Sequence, residues 1–405
     1  MLQTHPLETP EILWEVSKYV SWRTLFACVR VSMAWYKTFL PQIWKDIELT
    51  KDKLPPGAIH GYMYNRLVKT LRIRCALKKK QSRLILPNLA SLTVENASWD
   101  ENLFKLVGNH PTLTHLDLGR DIGTHSTRFL GILVGLHRLK DLKIMGLEVN
   151  EDNVDTFWQL CAQLERLEIS FQQISAQDRQ QSMEFPLMRE LRVNVFPVDS
   201  VPWIQDFMQR CPGLRSFGSF NQKSNRLFIP RIAPLVSAGT WPHLQSIALW
   251  TASTDGEDVA NIVAGCKIRA VDIVGGQPWV CLKLKVLKLG IYADDSTISQ
   301  IQPLVFDQLS RLTQLQELHV HCRETEGMLD LRLESGLGRL STLRSLRLLN
   351  FGVSTMQMIQ QPEVDWMLKH WKSLERIHRK PNALNPTLDT ALKMKLRHHG
   401  IAVSL

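Results

Sequence analysis

The stretch "HPTLTHLDL", from His110 to Leu118, holds the pattern that decides the fold. An apolar residue is followed by two spacers, a second apolar residue, one spacer and a third, which are Leu113, Leu116 and Leu118. The alternation in the last three residues predicts a short strand whose alternate side chains point to one side. Such a short strand cannot bury that side alone, so the pattern predicts neighbouring copies.

The same spacing returns from residue 67 to the end of the chain. The other clear copies are Leu89-Leu92-Val94, Leu139-Leu142-Ile144, Leu164-Leu167-Ile169, Met188-Leu191-Val193, Leu244-Ile247-Leu249, Ile268-Val271-Ile273, Leu284-Leu287-Leu289, Leu315-Leu318-Val320 and Leu343-Leu346-Leu348. Weaker copies lie at Leu67-Val68-Leu71-Ile73, Leu214-Phe217 and Leu374-Ile377.

The period of these copies indicates the architecture. From Leu92 to Leu191 the middle residue advances by 24, 26, 25 and 24 positions. Between the strands, Val154, Phe157 and Leu160 show helical spacing. A period in the mid-twenties with this core is typical of the leucine-rich repeat. The sequence therefore predicts an α/β fold, a curved solenoid with a parallel sheet on its concave side and helices on its convex side.

Composition limits the class of protein. With 405 residues, 44% of them hydrophobic and 22% charged, the chain is predicted to be folded and soluble, with several domains or a stacked repeat. No apolar run approaches the ~18–20 residues of a membrane span, and no secretory signal is expected at the N-terminus. Seven scattered cysteines without a CxxC pair favour a reducing compartment, cytoplasmic or nuclear. A net charge of +10 is compatible with acidic partners.

Several cysteines occupy one place in the repeat. Cys161 and Cys211 stand three residues before the first apolar residue of a copy, and Cys266 stands two before it. Other copies have His110, Phe185 and Trp241 at the equivalent place. A position that accepts these four residue types is predicted to be a packing position, not a metal site, which would need converging Cys and His pairs.

The segment from Thr9 to Leu49 has a different pattern. Thr9-Pro10-Glu11 is typical of a helix start, with a possible cap, a proline at the first position and an acid in the first turn. Apolar residues at i, i+4 and i+7 then follow, and two further short apolar segments are predicted, the last ending near Pro41. Three short helices bury too little surface for comfortable stability alone.

The order of residues in this segment resembles the F-box. The residues that carry the resemblance are "PEIL" (Pro10–Leu13), Val16, Tyr19-Val20, Leu25, Val29, "VSMAW" (Val31–Trp35) and "IW" (Ile43-Trp44). Three positions depart from the family's pattern, because Pro10 directly precedes Glu11, Thr24 replaces a common Asp, and Ser32 replaces the usual Cys.

An F-box-like start followed by leucine-rich repeats resembles the F-box/leucine-rich-repeat proteins of fungal type, many of which are substrate receptors of SCF ubiquitin ligases. The resemblance implies an F-box-like helical domain at 5–49, a linker at 50–66, and a leucine-rich solenoid with a C-terminal cap at 67–405. It also implies docking on a Skp-type adaptor, and through it a cullin, with the solenoid binding a protein substrate. The implied adaptor-binding residues are Pro10, Glu11, Ile12, Leu13, Val16, Leu25, Val29 and Trp35.

One alternative remains open. The chain could be a leucine-rich scaffold or inhibitor whose N-terminal helices only cap the first repeat. A cap should bury Ile12, Leu13 and Val16 against residues 60–95, whereas a docking motif should leave them exposed. No Walker P-loop, GxGxxG, GxSxG or HExxH motif occurs, so the sequence predicts no enzyme, no cofactor and no metal. "HVHC" (His319–Cys322) is predicted to hold a solvated pair of histidines on the sheet face.

The residues that alternate with the buried leucines should face the concave surface. Their charges are mixed in sign, which does not favour nucleic acid, since that would need a continuous basic stripe. Gly218 and Ala248 interrupt the charges, and Phe220, Trp250 and Val274 lie beside them on the same face. These three form a candidate substrate-binding patch, unless they pack on a loop or on each other.

Replacing Trp250 with Ala is expected to weaken capture of a genuine substrate, because an aromatic anchor would be lost. The measurement is co-purification of that substrate with the full chain, and unchanged capture would count against the patch.

Overall fold

A computed structural model of the chain describes residues 9–50, 62–77, 79, 81–95, 100–123, 125–175, 183–194, 200–219, 235, 238–249, 282–290, 295–321, 330–350, 359–378 and 386–404. The chain divides into two compact units. The first unit contains Met1–Leu164 and Ser175–Gln177, and the second contains Glu165–Ile174 and Asp178–Leu405.

The architecture is one long all-parallel sheet of 14 strands in sequence order. The strands of the first unit are β1 Asp46–Leu49, β2 Thr70–Ile73, β3 Ser91–Val94, β4 His115–Gly123 and β5 Asp141–Val149. Those of the second are β6 Arg166–Ile174, β7 Glu190–Val193, β8 Ser216–Ser219, β9 Ser246–Leu249, β10 Val286–Gly290, β11 Glu317–His321, β12 Leu348–Asn350, β13 Arg376–His378 and β14 Ala402–Ser404. The α/β class is thus confirmed, and the strand order is consistent with a repeat solenoid.

Helices precede and alternate with the strands. In the first unit they are α1 Pro10–Ser17, α2 Trp22–Cys28, α3 Met33–Lys45, α4 Tyr62–Asn65, α5 Glu101–Gly108, α6 Ser126–Val134 and α7 Val154–Gln163. In the second they are α8 Val201–Gln209, α9 Asp295–Ser310, α10 Gln361–His370 and α11 Pro386–His398. Short 3-10 helices lie at Gln81–Arg83 and Leu337–Thr342. Among the described helices, none has the length and apolar character needed to cross a membrane.

The three N-terminal helices are present, with one difference at the end of the third. The Ser21 and Ser32 hydroxyls accept the N–H groups of Thr24 and Trp35, each at 3.2 Å, and so cap α2 and α3. The prediction that the third helix ends near Pro41 is wrong, because α3 continues through Pro41 to Lys45. Ile43 and Trp44 are buried in that last turn, and their packing outweighs the hydrogen bond that proline cannot make.

The first strand was not predicted. Residues 46–49 were assigned to the helical segment, but α3 leads directly into β1, which pairs in parallel with β2 from Asp46↔Thr70 to Leu49↔Ile73. Ile47 and Leu49 are buried on one side of this strand. Without the preceding leucine spacing, β1 lacks the signal that marks the later strands. The sheet therefore begins within the segment that resembles an F-box.

One backbone arrangement recurs where ten of the described strands begin, which are β2 to β4 and β6 to β12. The carbonyl just before a strand accepts two N–H groups from the following repeat. In the first unit the Ala90 carbonyl accepts from Thr114 (2.8 Å) and His115 (3.0 Å). In the second the Arg189 carbonyl accepts in the same way from Arg215 (2.7 Å) and Ser216 (2.9 Å). This shared carbonyl sets each strand at the same offset from its neighbour.

A four-residue turn precedes each shared carbonyl. The residue that we call the turn-start residue stands three positions before the first leucine and accepts that leucine's N–H, as between His110 and Leu113 at 3.1 Å. All the turn-start residues named in the sequence analysis that the structure describes are buried, namely His110, Cys161, Phe185, Cys211 and Trp241. The predicted packing role is therefore confirmed for them, while Cys266 lies outside the described residues.

Two copies of the repeat differ from the prediction. Ile268, Val271 and Ile273 lie outside the described residues, and β9 pairs directly with β10, Ile247 facing Leu287, so the predicted strand order is wrong at this step. In the last clear copy the middle residue is Leu349, not Leu346, because Leu349 pairs with Leu318 and Ile377. The copy is displaced by three residues, because Leu343 is the turn-start residue, accepting the Leu346 N–H at 3.2 Å, and Leu346 is the first leucine.

A register shift in the first unit depends on a glycine. Between Leu118 and Asp121 the pairing of β4 with β5 shifts. The Asp121 carboxylate accepts the Gly123 N–H at 2.9 Å. Across from it Gly146 has φ +65°, and a Cβ there would lie 1.7 Å from Asp121 Oδ1. Only glycine fits this contact without strain.

We expect Gly146→Ala to lower the free energy of unfolding by at least about 1–2 kcal/mol, because the left-handed conformation alone costs an L-residue that much. The control is Gly131→Ala in α6, where a Cβ meets nothing within 4 Å. That change should stabilise by roughly 0.5–1 kcal/mol through helix propensity. Urea unfolding of both variants measures the difference, and equal effects would contradict the role of Gly146.

His110 is held as a neutral imidazole. Its Nδ1–H donates to the Leu106 carbonyl at 2.6 Å, and its Nε2 accepts the Leu86 N–H at 3.0 Å. Burial lowers the pKa of His110 below its ordinary value, despite the opposing effect of the hydrogen bond to Leu106. Between the folded and unfolded pKa values the unfolded chain therefore binds more protons.

The contribution of His110 to stability should be complete above about pH 6.5, the ordinary histidine pKa, and should be lost as the pH falls below it. In His110→Leu the Leu86 N–H loses its acceptor, at a cost of about 1–3 kcal/mol. Urea midpoints at pH 7.5 and 5.5 should differ less in this variant than in the wild type. An equal pH difference in both proteins would contradict the neutral, buried state.

Candidate protein-docking surface

Exposed apolar side chains concentrate in the N-terminal helices. The structure describes thirteen large hydrophobic residues that are exposed, and eight of them lie between residues 12 and 33. These eight are Ile12, Trp14, Val16, Tyr19, Trp22, Phe26, Val31 and Met33. The other five are scattered at Ile85, Leu187, Leu282, Leu304 and Met394. Single exposed hydrophobic residues are ordinary, but a concentration of this kind is typical of an interaction surface.

On α1 the exposed residues follow helical spacing. Ile12 and Val16 stand at i and i+4 and are 42% and 37% exposed, and Tyr19, in the turn after the helix, is 85% exposed. Since residues four apart share one side of a helix, Ile12 and Val16 form an apolar stripe. On α2, the rings of Trp22 and Phe26 meet edge to face with centroids 4.6 Å apart. We call these five residues the docking surface.

Charged groups lie beside the apolar residues on α1. The Lys18 ammonium lies 3.7 Å from the centroid of the Trp14 ring, and it is 2.6 Å from Glu15 Oε1. An apolar centre with aromatic residues and a charged rim is the usual composition of a protein–protein interface.

Two of the predicted contact residues are buried, so the expectation that they would be exposed is wrong. Leu13 is 1% exposed and Leu25 is 7% exposed. Helices α1 and α2 both pack on α3, and Leu13 and Leu25 are the apolar side chains that they bury. A helix trio must bury some apolar side chains to hold together, and these two fill its interior.

The other predicted contact residues divide between exposed and half-buried. Pro10 and Glu11 are exposed in the first turn of α1. Val29 and Trp35 are half-buried, and the Trp35 ring meets the Phe39 ring at 5.3 Å. Of the residues that the F-box resemblance implies, Pro10, Glu11, Ile12 and Val16 are thus the ones that a partner can reach directly.

Helix α3 has a different role from α1 and α2. The Trp44 ring stacks on the Tyr64 ring at 4.8 Å with an interplanar angle of 1°. The Tyr36 and Tyr64 hydroxyls lie 3.4 Å apart, and this hydrogen bond raises the pKa of Tyr36. α3 therefore fastens the helix trio to α4 and β1, while the apolar stripe of α1 stays exposed.

The charges on the sheet face of the first unit are paired across neighbouring strands. Arg74 lies 2.9 Å from Glu48 on β1 and 2.7 Å from Glu95 beyond β3, and the hydrogen bond with Glu95 raises the pKa of Arg74. Lys143 lies 3.8 Å from Asp117. In the second unit Arg192 lies 3.5 Å from Glu168. At these positions the mixed charges of the face thus pair with opposite charges on neighbouring strands.

The candidate substrate patch is described only at its small residues. Gly218 and Ala248 face each other in the pairing of β8 with β9, and a Cβ on Gly218 would lie 3.7 Å from the Ala248 Cβ. Phe220, Trp250 and Val274 lie outside the described residues.

The prediction of a solvated histidine pair is wrong at His319. This side chain is largely buried, with its Nδ1 3.2 Å from the Asn350 amide and its Nε2 3.5 Å from Glu317. The His321 side chain lies outside the described residues. In the described part of the chain, no three His, Cys, Asp or Glu side chains converge as a metal site would require.

A scan against models of known protein families matches none of them to this chain. The F-box resemblance therefore depends on the residues quoted for it. The sequence interpretation missed Trp14 and Trp22, because they lie outside the apolar spacing that suggested each helix. It placed Phe26 in the second apolar segment but did not predict it as a contact residue. The size of the two tryptophans was the available signal, since an aromatic residue on the polar side of a short amphipathic helix has no core to enter.

Proposed function

We propose that this protein is a non-catalytic substrate receptor of an SCF-type ubiquitin ligase. Its docking surface binds a Skp-type adaptor, which connects it to a cullin, and its leucine-rich repeats capture a protein substrate. The observation that carries the proposal is the concentration of exposed hydrophobic side chains on α1 and α2. The order of the F-box-like residues supports the choice of adaptor.

Burial of the docking surface supplies part of the free energy of binding a partner. Completing the burial of its five exposed apolar side chains stabilises a complex by about 1 kcal/mol each, or ~5 kcal/mol in all. Association itself costs an estimated 4–15 kcal/mol in lost freedom. The docking surface therefore needs additional contacts, which the charged rim around Lys18 and Glu15 can provide.

The mechanism is proximity. A receptor that holds adaptor and substrate together raises their effective concentration, and it needs no catalytic group of its own. Here α3 runs directly into β1, and the helix trio and the first five strands belong to one compact unit. A substrate on those repeats would be held at a defined distance from the adaptor.

The second candidate is a leucine-rich scaffold or inhibitor whose helices act only as a cap. The stacking of Trp44 on Tyr64 and the pairing of β1 with β2 favour it, because both fasten the trio to the sheet. A cap alone does not explain why Ile12 and Val16 are exposed. Both candidate functions need α3 to be attached to the sheet. An experiment that distinguishes them must therefore change α1 or α2.

The test is co-expression of the full chain with a Skp-type adaptor, comparing the wild type with Ile12→Asp/Val16→Asp. Both positions are exposed, so the variant should fold, whereas Leu13→Asp would place a charge inside the trio. We expect the wild type to co-purify with the adaptor and the variant to lose at least 90% of the complex. The matched control is Ile85→Asp/Met394→Asp, at positions 62% and 67% exposed.

Retention of the complex by the control would assign the loss to the docking surface. A wild-type protein that is folded and monodisperse but ignores the adaptor would contradict the proposal and favour the cap. Loss of the complex in both double variants would show that added charge alone causes the effect, and would count equally against the docking surface.

A further inference from the structure

In the second unit Glu165 precedes β6 and Glu375 precedes β13. Between them, the residues directly before strands β7 to β12 form a row. Each provides a shared carbonyl, which accepts two N–H groups of the next repeat and so holds its backbone in place. From β7 to β12 these residues are Arg189, Arg215, Gln245, Lys285, Gln316 and Arg347. Because the strands are parallel and pair in sequence order, the row runs along their N-terminal ends, from strand to strand. We use the word edge for this side of the sheet.

The cations on this edge are exposed and not paired with carboxylates. Arg189, Arg215 and Lys285 are exposed, as are Lys283 and Arg344 in the turns before β10 and β12. Among the described residues, no carboxylate lies within ion-pair distance of any of these five. We call them the basic edge. Arg347 differs, because it forms a two-bond ion pair with Glu375 at 2.8 and 2.9 Å.

The contrast with the sheet face is informative. On the face, charges of opposite sign meet across neighbouring strands, as Arg192 meets Glu168 at 3.5 Å. On the edge, positive charges follow one another with only amides between them. Like charges at neighbouring positions repel and weaken a fold slightly. The five cations of the basic edge, which have no carboxylate partner among the described residues, are therefore best explained by an acidic partner.

The row has the dimensions of an extended chain. Neighbouring strands lie about 4.8 Å apart, so the five steps from β7 to β12 cover roughly 24 Å. An extended polypeptide rises about 3.3 Å per residue, and some seven residues would span that length. The row is a single file, so it offers one chain a continuous set of charge contacts.

Exposed apolar side chains on the same turns indicate which kind of acidic partner fits the basic edge. Leu187, in the turn before β7, is 49% exposed, and Leu282, in the turn before β10, is 46% exposed. Gln245 and Gln316 place amide groups between the cations, and amides can bond the backbone of a bound peptide. We propose that the basic edge binds an extended acidic polypeptide segment of a partner protein, with apolar side chains among its carboxylates.

Nucleic acid fits the edge less well. Single-stranded nucleic acid is usually held by aromatic side chains on which bases stack, as well as by cations. In the described part of this edge the exposed apolar residues beside the cations are leucines. A duplex would need a broad basic surface, and on the adjoining sheet face Arg192 is paired with Glu168 at 3.5 Å.

This inference goes beyond the proposed function and does not depend on it. The basic edge is built from the second unit alone, and the docking surface belongs to the first. Variants of one surface leave the residues of the other unchanged, so failure of either proposal can be recognised separately.

The test uses the full chain and a fluorescent peptide of about twelve residues with the repeat Glu-Glu-Leu. The edge variant is Arg189→Glu/Arg215→Glu/Lys285→Glu. The matched control, Lys79→Glu/Arg138→Glu/Arg397→Glu, changes the net charge equally at exposed positions elsewhere. Fluorescence anisotropy at ~0.15 M salt gives Kd, and an unlabelled oligothymidine of similar length is the competitor.

We expect the edge variant to bind the peptide at least about tenfold more weakly, because three favourable contacts become repulsive. The control should stay within about threefold of the wild type, and the peptide should resist the oligonucleotide. Equal weakening in both variants would overturn the proposal by showing a response to net charge only. Displacement of the peptide at low oligonucleotide concentration, lost in the edge variant, would overturn it in favour of nucleic acid. Absence of binding to the wild type would also overturn it.

Discussion

A single backbone carbonyl that accepts two N–H groups from the next repeat is the constraint on which the structure depends. It recurs where the strands begin, from the Lys69 carbonyl in the first unit to the Arg347 carbonyl in the second. Each such carbonyl fixes the residue at which the next strand starts. The buried turn-start residue packs beneath the turn that leads to the carbonyl. The side chain at that residue can be His, Cys, Phe or Trp, because the backbone makes the joint and the side chain only has to fill space. Turn-start side chains with an N–H group also donate a hydrogen bond, as the Trp371 Nε1–H does to the Leu340 carbonyl at 3.0 Å.

This constraint explains which parts of the fold could be predicted. Strands with the full leucine spacing were found because every repeat solves the same packing problem with the same residues. β1 was missed because it has only one neighbour to match and no turn-start residue before it. The copy at Leu349 was misplaced because three leucines spaced by three stand there, and spacing alone does not say which of them pairs with Leu318. Pro41 was given too much weight, since burial of Ile43 and Trp44 carries the helix past it.

The candidate site was predictable to a similar extent and for a related reason. Apolar spacing identified three helices but not the side of each that faces its neighbours, because both sides of α1 are apolar. Leu13 and Ile12 are adjacent in the chain, yet one fills the trio and the other faces solvent. Periodicity reports that a side is apolar, whereas only the packing of three helices together decides which side remains available. The basic edge was hidden for another reason, because its cations are far apart in sequence and meet only when the strands are aligned.

The direct pairing of β9 with β10 has a consequence for how such a chain can change. Ile247 and Leu287 are paired although 40 positions separate them, where Leu92 and Leu116 are separated by 24. By loop-closure entropy, joining two strands through 40 residues instead of 24 costs only about 0.5 kcal/mol. The hydrogen bonds of the shared carbonyls join only the residues where strands begin, so they do not depend on the length of the segment that connects two strands. Insertions can therefore accumulate between strands without changing the pairing register. The connecting segments can become longer while the geometry of the sheet stays the same.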